Sequence, residues 1–326
     1  MEEKQYYKEK RISSSSLKYF EQSPLLFKKF LDSELEQESK KFFEKGKQIH
    51  MAILEPEEFK KNFTTLDFEI PKSEQQKQFC EEYIETISKQ KKINEDVALI
   101  NAYKNNYKAT KSDEKILEDA QTLKNKLIRY IEYLQKRKTF KDILSWSDWQ
   151  RIQSLKEGIV RHKLANELLK TDDLDTRLSW NELVIFWEDP TYNLPCKSMI
   201  DRLVVDHDKK EITLIDLKTA NTFTKFKERC NEFAYFRQMA FYWFAIHWWF
   251  KNALNKDISE YNKQTYIIGL KTTDDAEVRV YKIQDIHLRE GLVDINNILG
   301  DLAWHWENDK WDHTRSYYVG EGYETL

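Results

Sequence analysis

Cysteine, proline and glycine are scarce in this chain of 326 residues, which has three, five and seven of them respectively. Because glycine and proline supply many turns and helix ends, their scarcity favours long helices joined by few loops. The three cysteines (Cys80, Cys196 and Cys230) are odd in number and lack metal-binding spacing. This argues against a disulfide framework or a zinc finger, and we expect a protein of the reducing cytoplasm.

Long apolar runs are also missing. The longest, from residue 239 to residue 250, is interrupted by His247 and is too short to span a bilayer. The first eleven residues contain no apolar core of the kind that a signal peptide needs. We therefore expect no membrane association and no secretion signal.

An excess of positive charge, the usual property of nucleic-acid-binding proteins, is absent as well. The formal net charge is −3 and the calculated pI is about 6.2. A protein that encloses its substrate needs only a local basic channel, and a negative exterior limits non-specific binding. The charge balance therefore does not exclude a nucleic-acid partner.

The clearest pattern that is present lies between residues 199 and 218. Residues 199–205 and 211–218 are rich in β-branched and aliphatic side chains and predict two strands around a polar turn at 207–210. In a symmetric hairpin Asp201 and Asp216 face each other, roughly 5 Å apart at Cβ. Lys218 follows two residues after Asp216 and shares its face of the sheet.

A third strand extends this pattern. Residues 182–188 predict a strand and residues 189–193 a turn, which aligns Glu182 with Asp201 and Asp216. Three carboxylates on one face suit Mg²⁺ or Mn²⁺ better than Zn²⁺. The alternative is a solvated polar face, but the other positions on this face are apolar: Leu203, Val205, Ile212 and Leu214. Carboxylates on an apolar face are costly unless they are paired or bind a metal, so we favour the metal site.

These residues resemble the motif of the PD-(D/E)XK nuclease superfamily, with Asp201 upstream of Asp216-Leu217-Lys218; the proline of the Pro-Asp pair is absent. Four further matches appear. Gly46 with His50 is similar to the histidine motif of RecB-type nucleases, and Gln238 with Tyr242 to their glutamine–tyrosine helix. Residues 12–17, followed by Ser23-Pro24, resemble the serine-rich motif of the exonuclease VIII (RecE) branch, and Glu182 resembles the glutamate that opens a core strand there.

The resemblance implies an α/β (α+β) fold with a restriction-endonuclease-like core. Its mixed central sheet would contain the antiparallel catalytic meander and be flanked by helices. We expect a single nuclease domain over residues 1–326, in which 60–145 form a helical insertion. Apolar spacing within the insertion predicts one long amphipathic helix that includes Ile116 and Leu134.

The resemblance also implies roles for individual residues. The metal, Mg²⁺ or Mn²⁺, would be bound by His50, Asp201, Asp216, the Leu217 carbonyl and Glu182. Catalysis would involve Lys218, Glu182, Asp201, Asp216, Gln238 and Tyr242. DNA would contact Ser13, Ser15, Gln238 and Tyr242. Without the resemblance, His50 and Tyr242 would be interpreted as core residues, because both stand among apolar neighbours.

The implied activity is a metal-dependent exonuclease that degrades linear double-stranded DNA from its ends, 5′ to 3′, in recombination or repair. An endonuclease on the same fold and a non-catalytic DNA-binding protein remain alternatives. The resemblance further implies a homo-oligomeric ring, a trimer or tetramer, and a single-strand annealing protein as a functional partner.

Local signals predict the remaining elements. Ser15 or Ser16 is expected to cap a helix over 17–22, and Ser23 a second helix that runs to about residue 32. Further helices are expected over 42–52, 147–169 as a pair, 225–250 and 285–308, and strands over 265–270 and 276–283.

Overall fold

The computed structural model of the chain describes residues 2–34, 41–65, 68, 70–89, 94–136, 142–170, 176–273 and 275–323. The chain divides into two compact units, Met1–Glu55 with Ser154–Leu326, and Pro56–Gln153. The insertion predicted at 60–145 lies within the second unit. No helix in the described ranges is long and apolar enough to cross a membrane.

The first unit contains most of the strands. Its helices are α1 (Glu2–Lys8), α2 (Ser14–Gln22), α3 (Pro24–Leu31), α4 (Lys41–Leu54), α11 (Lys163–Leu169), α12 (Phe226–Glu232), α13 (Tyr235–Asn252), α14 (Asp285–Asn308) and α15 (Arg315–Val319), together with most of α10 (Trp146–Arg161). Its strands are β3 (Arg177–Glu188), β4 (Pro195–Asp206), β5 (Glu211–Ala220), β6 (Asn262–Lys271) and β7 (Val278–Lys282).

These five strands form one mixed sheet in the order β3-β4-β5-β6-β7. The pairs β3–β4, β4–β5 and β6–β7 are antiparallel, whereas β5 and β6 run parallel. A parallel pair needs a long crossover, which α12 and α13 supply here. The predicted mixed sheet with an antiparallel meander and flanking helices is confirmed.

One face of the meander packs against α13, α14 and the first helices to form the main core. The four apolar residues that share the face of the carboxylates, Leu203, Val205, Ile212 and Leu214, are fully buried in it. Trp187 of β3 contacts Phe241 of α13 edge to face, with ring centroids 4.9 Å apart. The carboxylates therefore stand at the end of an apolar face, as the sequence predicts.

The opposite face of β4 carries Arg202, whose structural role no sequence pattern indicates. Its side chain is 1% exposed and donates to the carbonyls of Leu168 and Lys170 and to Asn181 Oδ1. A buried guanidinium thus satisfies carbonyls at the end of α11 that the helix cannot bond itself.

The helices α13 and α14 pack closely at Gly291, which yields a stability prediction. A Cβ atom there would lie 2.5 Å from the Phe236 carbonyl oxygen, which is backbone and cannot rotate away. We expect Gly291→Ala to lower the free energy of unfolding by about 1–3 kcal/mol. Gly300→Ala on the same helix is the control, because there the nearest atom is Tyr192 Oη at 3.0 Å, the end of a side chain. Equal losses of melting temperature in the two variants would contradict the prediction.

The second unit is helical apart from two short parallel strands. It contains α5 (Pro56–Asn62), β1 (Phe63–Thr65), α6 (Glu74–Lys89), α7 (Glu95–Tyr107), α8 (Asp113–Lys126), α9 (Ile128–Lys136), β2 (Asp142–Leu144) and the start of α10. Its own apolar core includes Phe79, Leu99 and Ile131.

The single long helix expected to include Ile116 and Leu134 is wrong. Two helices, α8 and α9, meet at Leu127, whose N–H bonds to the carbonyls of both Leu123 and Lys124. No glycine or proline marks this position. Leu127 is 8% exposed and belongs to the core of the unit, so packing ends the first helix where local propensity would continue it.

The helical segment expected over 225–250 is divided into α12 and α13, whereas α3 and α14 follow the local signals. Ser23 caps α3 with Pro24 at its first position, and α14 covers the predicted residues 285–308. Ser15 and Ser16 do not cap α2, however, because Ser13 does so: its hydroxyl accepts from the Ser16 N–H at 3.2 Å. In a run of four serines, sequence alone does not distinguish the cap.

Candidate metal centre

Strands β4 and β5 of the meander separate at the predicted carboxylates. Regular pairing of β4 with β5 runs from Asp206 opposite Glu211 to Arg202 opposite Ile215 and ends there. Asp201 follows directly, and its Oδ2 accepts a hydrogen bond of 2.7 Å from the Leu217 N–H. The predicted register is confirmed, and a side-chain carboxylate binds the backbone of β5 where the ladder opens.

Asp216 and Lys218 form a buried ion pair at this opening. Lys218 Nζ lies 2.6 Å from Asp216 Oδ2, and the two side chains are 17% and 1% exposed. Neither Asp216 oxygen accepts a hydrogen bond of regular geometry, although both are buried. A buried carboxylate that lacks such bonds is costly unless a cation stabilises it.

Burial and charge shift the pKa values of this pair. Burial raises the pKa of Asp216 to about 6, although the Lys218 ammonium opposes the shift. Burial alone would lower the pKa of Lys218, but Asp216 and Asp201 outweigh it and raise that pKa. The Lys218 ammonium also lies over the Tyr235 ring, 4.9 Å from its centroid. Lys218 is therefore a cation at neutral pH.

His50 reaches the same opening from α4. Its Nδ1 lies 3.6 Å from Asp201 Oδ2. Burial, with repulsion from Lys218, lowers the pKa of His50 to about 4. The imidazole is therefore neutral at pH 7, which is the form that binds metal ions.

Gly46, one turn before His50 on α4, lies against β5. A Cβ atom at this position would lie 3.2 Å from Thr219 Oγ1. The nearest atom thus belongs to a side chain of β5 and not to its backbone. The glycine lets α4 lie close to β5.

Glu182 completes the group with an unusual backbone conformation. It lies opposite Asp201 between the pairs Asn181–Arg202 and Leu183–Ile200, as the predicted register requires. Its φ is +47°, the left-handed region that is rarely occupied by residues other than glycine. Such a conformation costs of order 1–3 kcal/mol and is found preferentially at functional sites.

The ligand atoms of His50, Glu182 and Asp201 all lie within 4.8 Å of one another. Two carboxylate oxygens and one imidazole nitrogen suit a divalent ion such as Mn²⁺ or Mg²⁺. The residues present therefore fit the divalent metal that the sequence predicts.

The strain at Glu182 gives a prediction that stability measurements can test. Gly normally destabilises a strand by roughly 0.5–1 kcal/mol relative to Ala. At φ +47° we expect the opposite order: Glu182→Gly should be more stable than Glu182→Ala by about 1 kcal/mol. The control is Val184 in the same strand, which is not among the residues with positive φ; there Ala should exceed Gly. Urea unfolding with EDTA measures both pairs, and Ala above Gly at position 182 would contradict the prediction.

Gln238 and Tyr242 are brought together on α13. Gln238 Nε2 donates to Tyr242 Oη over 2.8 Å. Burial and the carboxylates Asp216 and Asp201 raise the pKa of Tyr242, so its hydroxyl stays protonated. Gln238 lines the cavity described below, whereas Tyr242 is 8% exposed and is not part of its lining.

Ser13 and Ser15, the serines predicted to contact DNA, lie outside the lining of this cavity. Ser13 is 4% exposed, and its hydroxyl caps α2 and bonds Ser15 Oγ at 3.0 Å. Neither residue lines the cavity. The serine-rich segment contributes Lys18 to the cavity wall instead.

A cavity of about 910 Å³ opens over the site. It is lined by His50, Glu182, Asp201, Leu217, Lys218 and Gln238, and also by residues that the sequence analysis did not select: Lys18, Lys47, Arg229, Phe233 and Tyr235. Among the described residues of the lining, four cationic side chains stand against four carboxylates. A bound divalent ion would make the net charge of the lining positive, which would favour binding of a phosphate group.

Comparison with known proteins points to one family. The sequence model of a family described as "PDDEXK-like domain of unknown function (DUF3799)" matches residues 13–315. Among solved structures, one described as a "Putative exonuclease" from Eubacterium rectale is similar, with 11% identity and a TM-score of 0.38 over 90% of this chain and 96% of that one. A search of curated proteins gave no match.

Proposed function

The chain belongs to the family of PDDEXK-like domains, and we propose that it is a metal-dependent deoxyribonuclease that hydrolyses linear double-stranded DNA from its ends. The observation that carries the hydrolytic activity is the convergence of a candidate metal-binding cluster and a lysine on one cavity, whereas the preference for duplex ends follows from the resemblance to the exonuclease VIII branch. His50, Glu182 and Asp201 place their ligand atoms within 4.8 Å of one another, and Lys218 lines the same cavity.

His50, Glu182 and Asp201 would hold a divalent ion, to which the resemblance adds the Leu217 carbonyl, and the bound ion would supply an activated water and polarise the scissile phosphate. Lys218 has a raised pKa and remains an ammonium. As an ammonium it can donate hydrogen bonds to a phosphate oxygen as negative charge develops. Asp216 holds this ammonium in place through the 2.6 Å ion pair.

Gln238 and Tyr242 have a positioning role in this proposal. The Tyr242 hydroxyl accepts from Gln238 Nε2 and so fixes the amide, whose other donor and acceptor can orient the attacking water or the sugar–phosphate backbone. We further propose 5′ to 3′ polarity, a role in recombination or repair, a ring-shaped homo-oligomer and a single-strand annealing protein as partner. These follow from the resemblance to the exonuclease VIII branch.

The test compares linear duplex DNA with a covalently closed circle in Mg²⁺ and in Mn²⁺, with Asp216→Ala as the inactive control. Digestion of the linear form alone, lost in the variant, supports the proposal, and labels at the 5′ and 3′ ends then give the polarity. Cleavage of the circle would identify an endonuclease. Absence of variant-sensitive cleavage of either substrate would favour a non-catalytic DNA-binding protein.

A further inference from the structure

One wall of the cavity carries an exposed aromatic ring beside the reacting groups. Phe233 is 42% exposed although it lines the cavity together with Lys218 and Gln238. Its ring lies nearly parallel to the ring of Tyr235, with centroids 5.8 Å apart and an angle of 29° between planes. Tyr235 in turn lies beneath the Lys218 ammonium. The aromatic pair thus extends from the catalytic lysine to open space.

The backbone fixes this ring at a helix junction. Phe233 is the C-cap of α12 and Ala234 the N-cap of α13, so these two residues alone join the helices. Ala234 has a φ of +53°, a left-handed conformation that costs alanine roughly 1 kcal/mol or more. Its N–H bonds to the Asn231 carbonyl at 3.0 Å, which holds the turn. This turn presents Phe233 toward the cavity.

Cationic groups accompany the ring. Lys18 Nζ lies 5.8 Å from the centroid of Phe233, and Arg229 precedes Phe233 by one helical turn and lines the same cavity. The guanidinium of Arg229 is anchored by donation to the Thr222 carbonyl at 3.1 Å. Glu232 also lines this wall and opposes an anion there. An apolar ring that shares its cavity wall with two cations and one carboxylate matches a base with its adjacent phosphates better than an apolar ligand.

We propose that Phe233 and Tyr235 form a stacking platform for one unpaired nucleobase of the strand end in the cavity, with Lys18 and Arg229 contacting the adjacent phosphates. The inference rests on the proposed function. Because the platform lies within the catalytic cavity, it would bind the base next to the scissile phosphate and favour frayed or single-stranded ends over blunt duplex ends. Stacking is tolerant of sequence, so no base preference is expected.

A fluorescence measurement tests the platform without hydrolysis. The probe is an oligonucleotide with 2-aminopurine at its end and phosphorothioate linkages that resist cleavage, bound in Mg²⁺. Stacking quenches 2-aminopurine, so the wild type should quench it. Phe233→Leu should abolish most of the quenching and weaken binding of the single-stranded end about tenfold, whereas Phe233→Trp should retain both.

Trp146→Leu is the matched control, because Trp146 is 43% exposed and does not line the cavity; it should bind like the wild type. Quenching and affinity that persist in Phe233→Leu would overturn the platform, even if the protein cleaves DNA. Quenching that depends on Phe233 in a protein that cleaves no DNA would instead keep the platform and refute the nuclease proposal. Phe233 is partly exposed, and unchanged melting temperatures of the variants will exclude misfolding as the cause.

Discussion

Replacing Asp201 by Asn is expected to reduce DNA hydrolysis at least about a thousandfold while the protein stays folded. Metal-ion catalysis supplies several kcal/mol of transition-state stabilisation, and each 1.36 kcal/mol is tenfold in rate. Asp201 contacts both β5 and α4 at the site: its Oδ2 accepts a hydrogen bond from the Leu217 N–H and lies 3.6 Å from His50 Nδ1. An Asn oxygen can keep the bond to Leu217 but carries no charge for the ion.

A matched control lies on the same strand. The side chain of Asp206 is 13% exposed, as is that of Asp201, but Asp206 holds the turn by accepting from the Lys209 N–H. Asp206→Asn should therefore leave the rate nearly unchanged. Mg²⁺ should raise the melting temperature of the wild type and of Asp206→Asn, because a ligand that binds only the folded state stabilises it. It should not raise that of Asp201→Asn, and an active Asp201→Asn variant with an intact Mg²⁺ response would refute the proposed metal centre.

The second large effect is expected for Lys218→Met. Loss of a preorganised donor to the developing charge should lower kcat about 10²- to 10³-fold with a smaller change in KM. The variant should also be less stable, by up to about 3 kcal/mol, because the buried Asp216 loses its cation.

This loss of stability should depend on pH. The pKa of Asp216 is already raised by burial to about 6 in the folded protein, above its value of about 3.9 in unfolded chains. The contribution of Asp216 to the free energy of unfolding is therefore fully present below about pH 4 and is lost as the pH rises through 6. Without Lys218 the folded pKa moves higher, so the loss continues to higher pH and becomes larger.

Urea unfolding in EDTA at pH 5 and pH 8 measures this dependence. The difference between wild type and Lys218→Met should be larger at pH 8. Lys263→Met is the control, because Lys263 also lies over an aromatic ring, 6.0 Å from the centroid of Trp243, but does not line the cavity. The same pH dependence in both variants would show that Lys218 does not hold the Asp216 carboxylate.

Much of the candidate site follows from sequence periodicity. Strand side chains alternate with a period of two, so a recognisable turn fixes which residues face each other, and this is why Glu182, Asp201 and Asp216 could be aligned in advance. The spacing of four residues brought Gln238 to Tyr242 for the equivalent reason on a helix. Both rules concern neighbours on one element or one hairpin.

Contacts between distant segments were not accessible in this way. Arg202 directly follows the motif residue Asp201, but its side chain donates a hydrogen bond to the Leu168 carbonyl of α11 on the other face of the sheet. The aromatic residues at the start of α13 gave no signal that Tyr235 lies beneath Lys218 and that Phe233 faces the cavity. Many aromatic residues stand in this stretch, and composition cannot tell a buried ring from an exposed one.

The sequence by itself determined the meander, its register and the identity of the acidic and basic groups, because these depend on local periodicity and on turn chemistry. The tertiary structure decided which of these groups come together: His50 of α4 joins Glu182 and Asp201 in a cluster that could hold one ion, while Asp216 pairs with Lys218. It also imposed the left-handed backbone of Glu182, which no local preference favours. The physical reason is that packing of α4 and α13 against the opened sheet sets distances between residues far apart in the chain, and only that packing can hold strained residues in place.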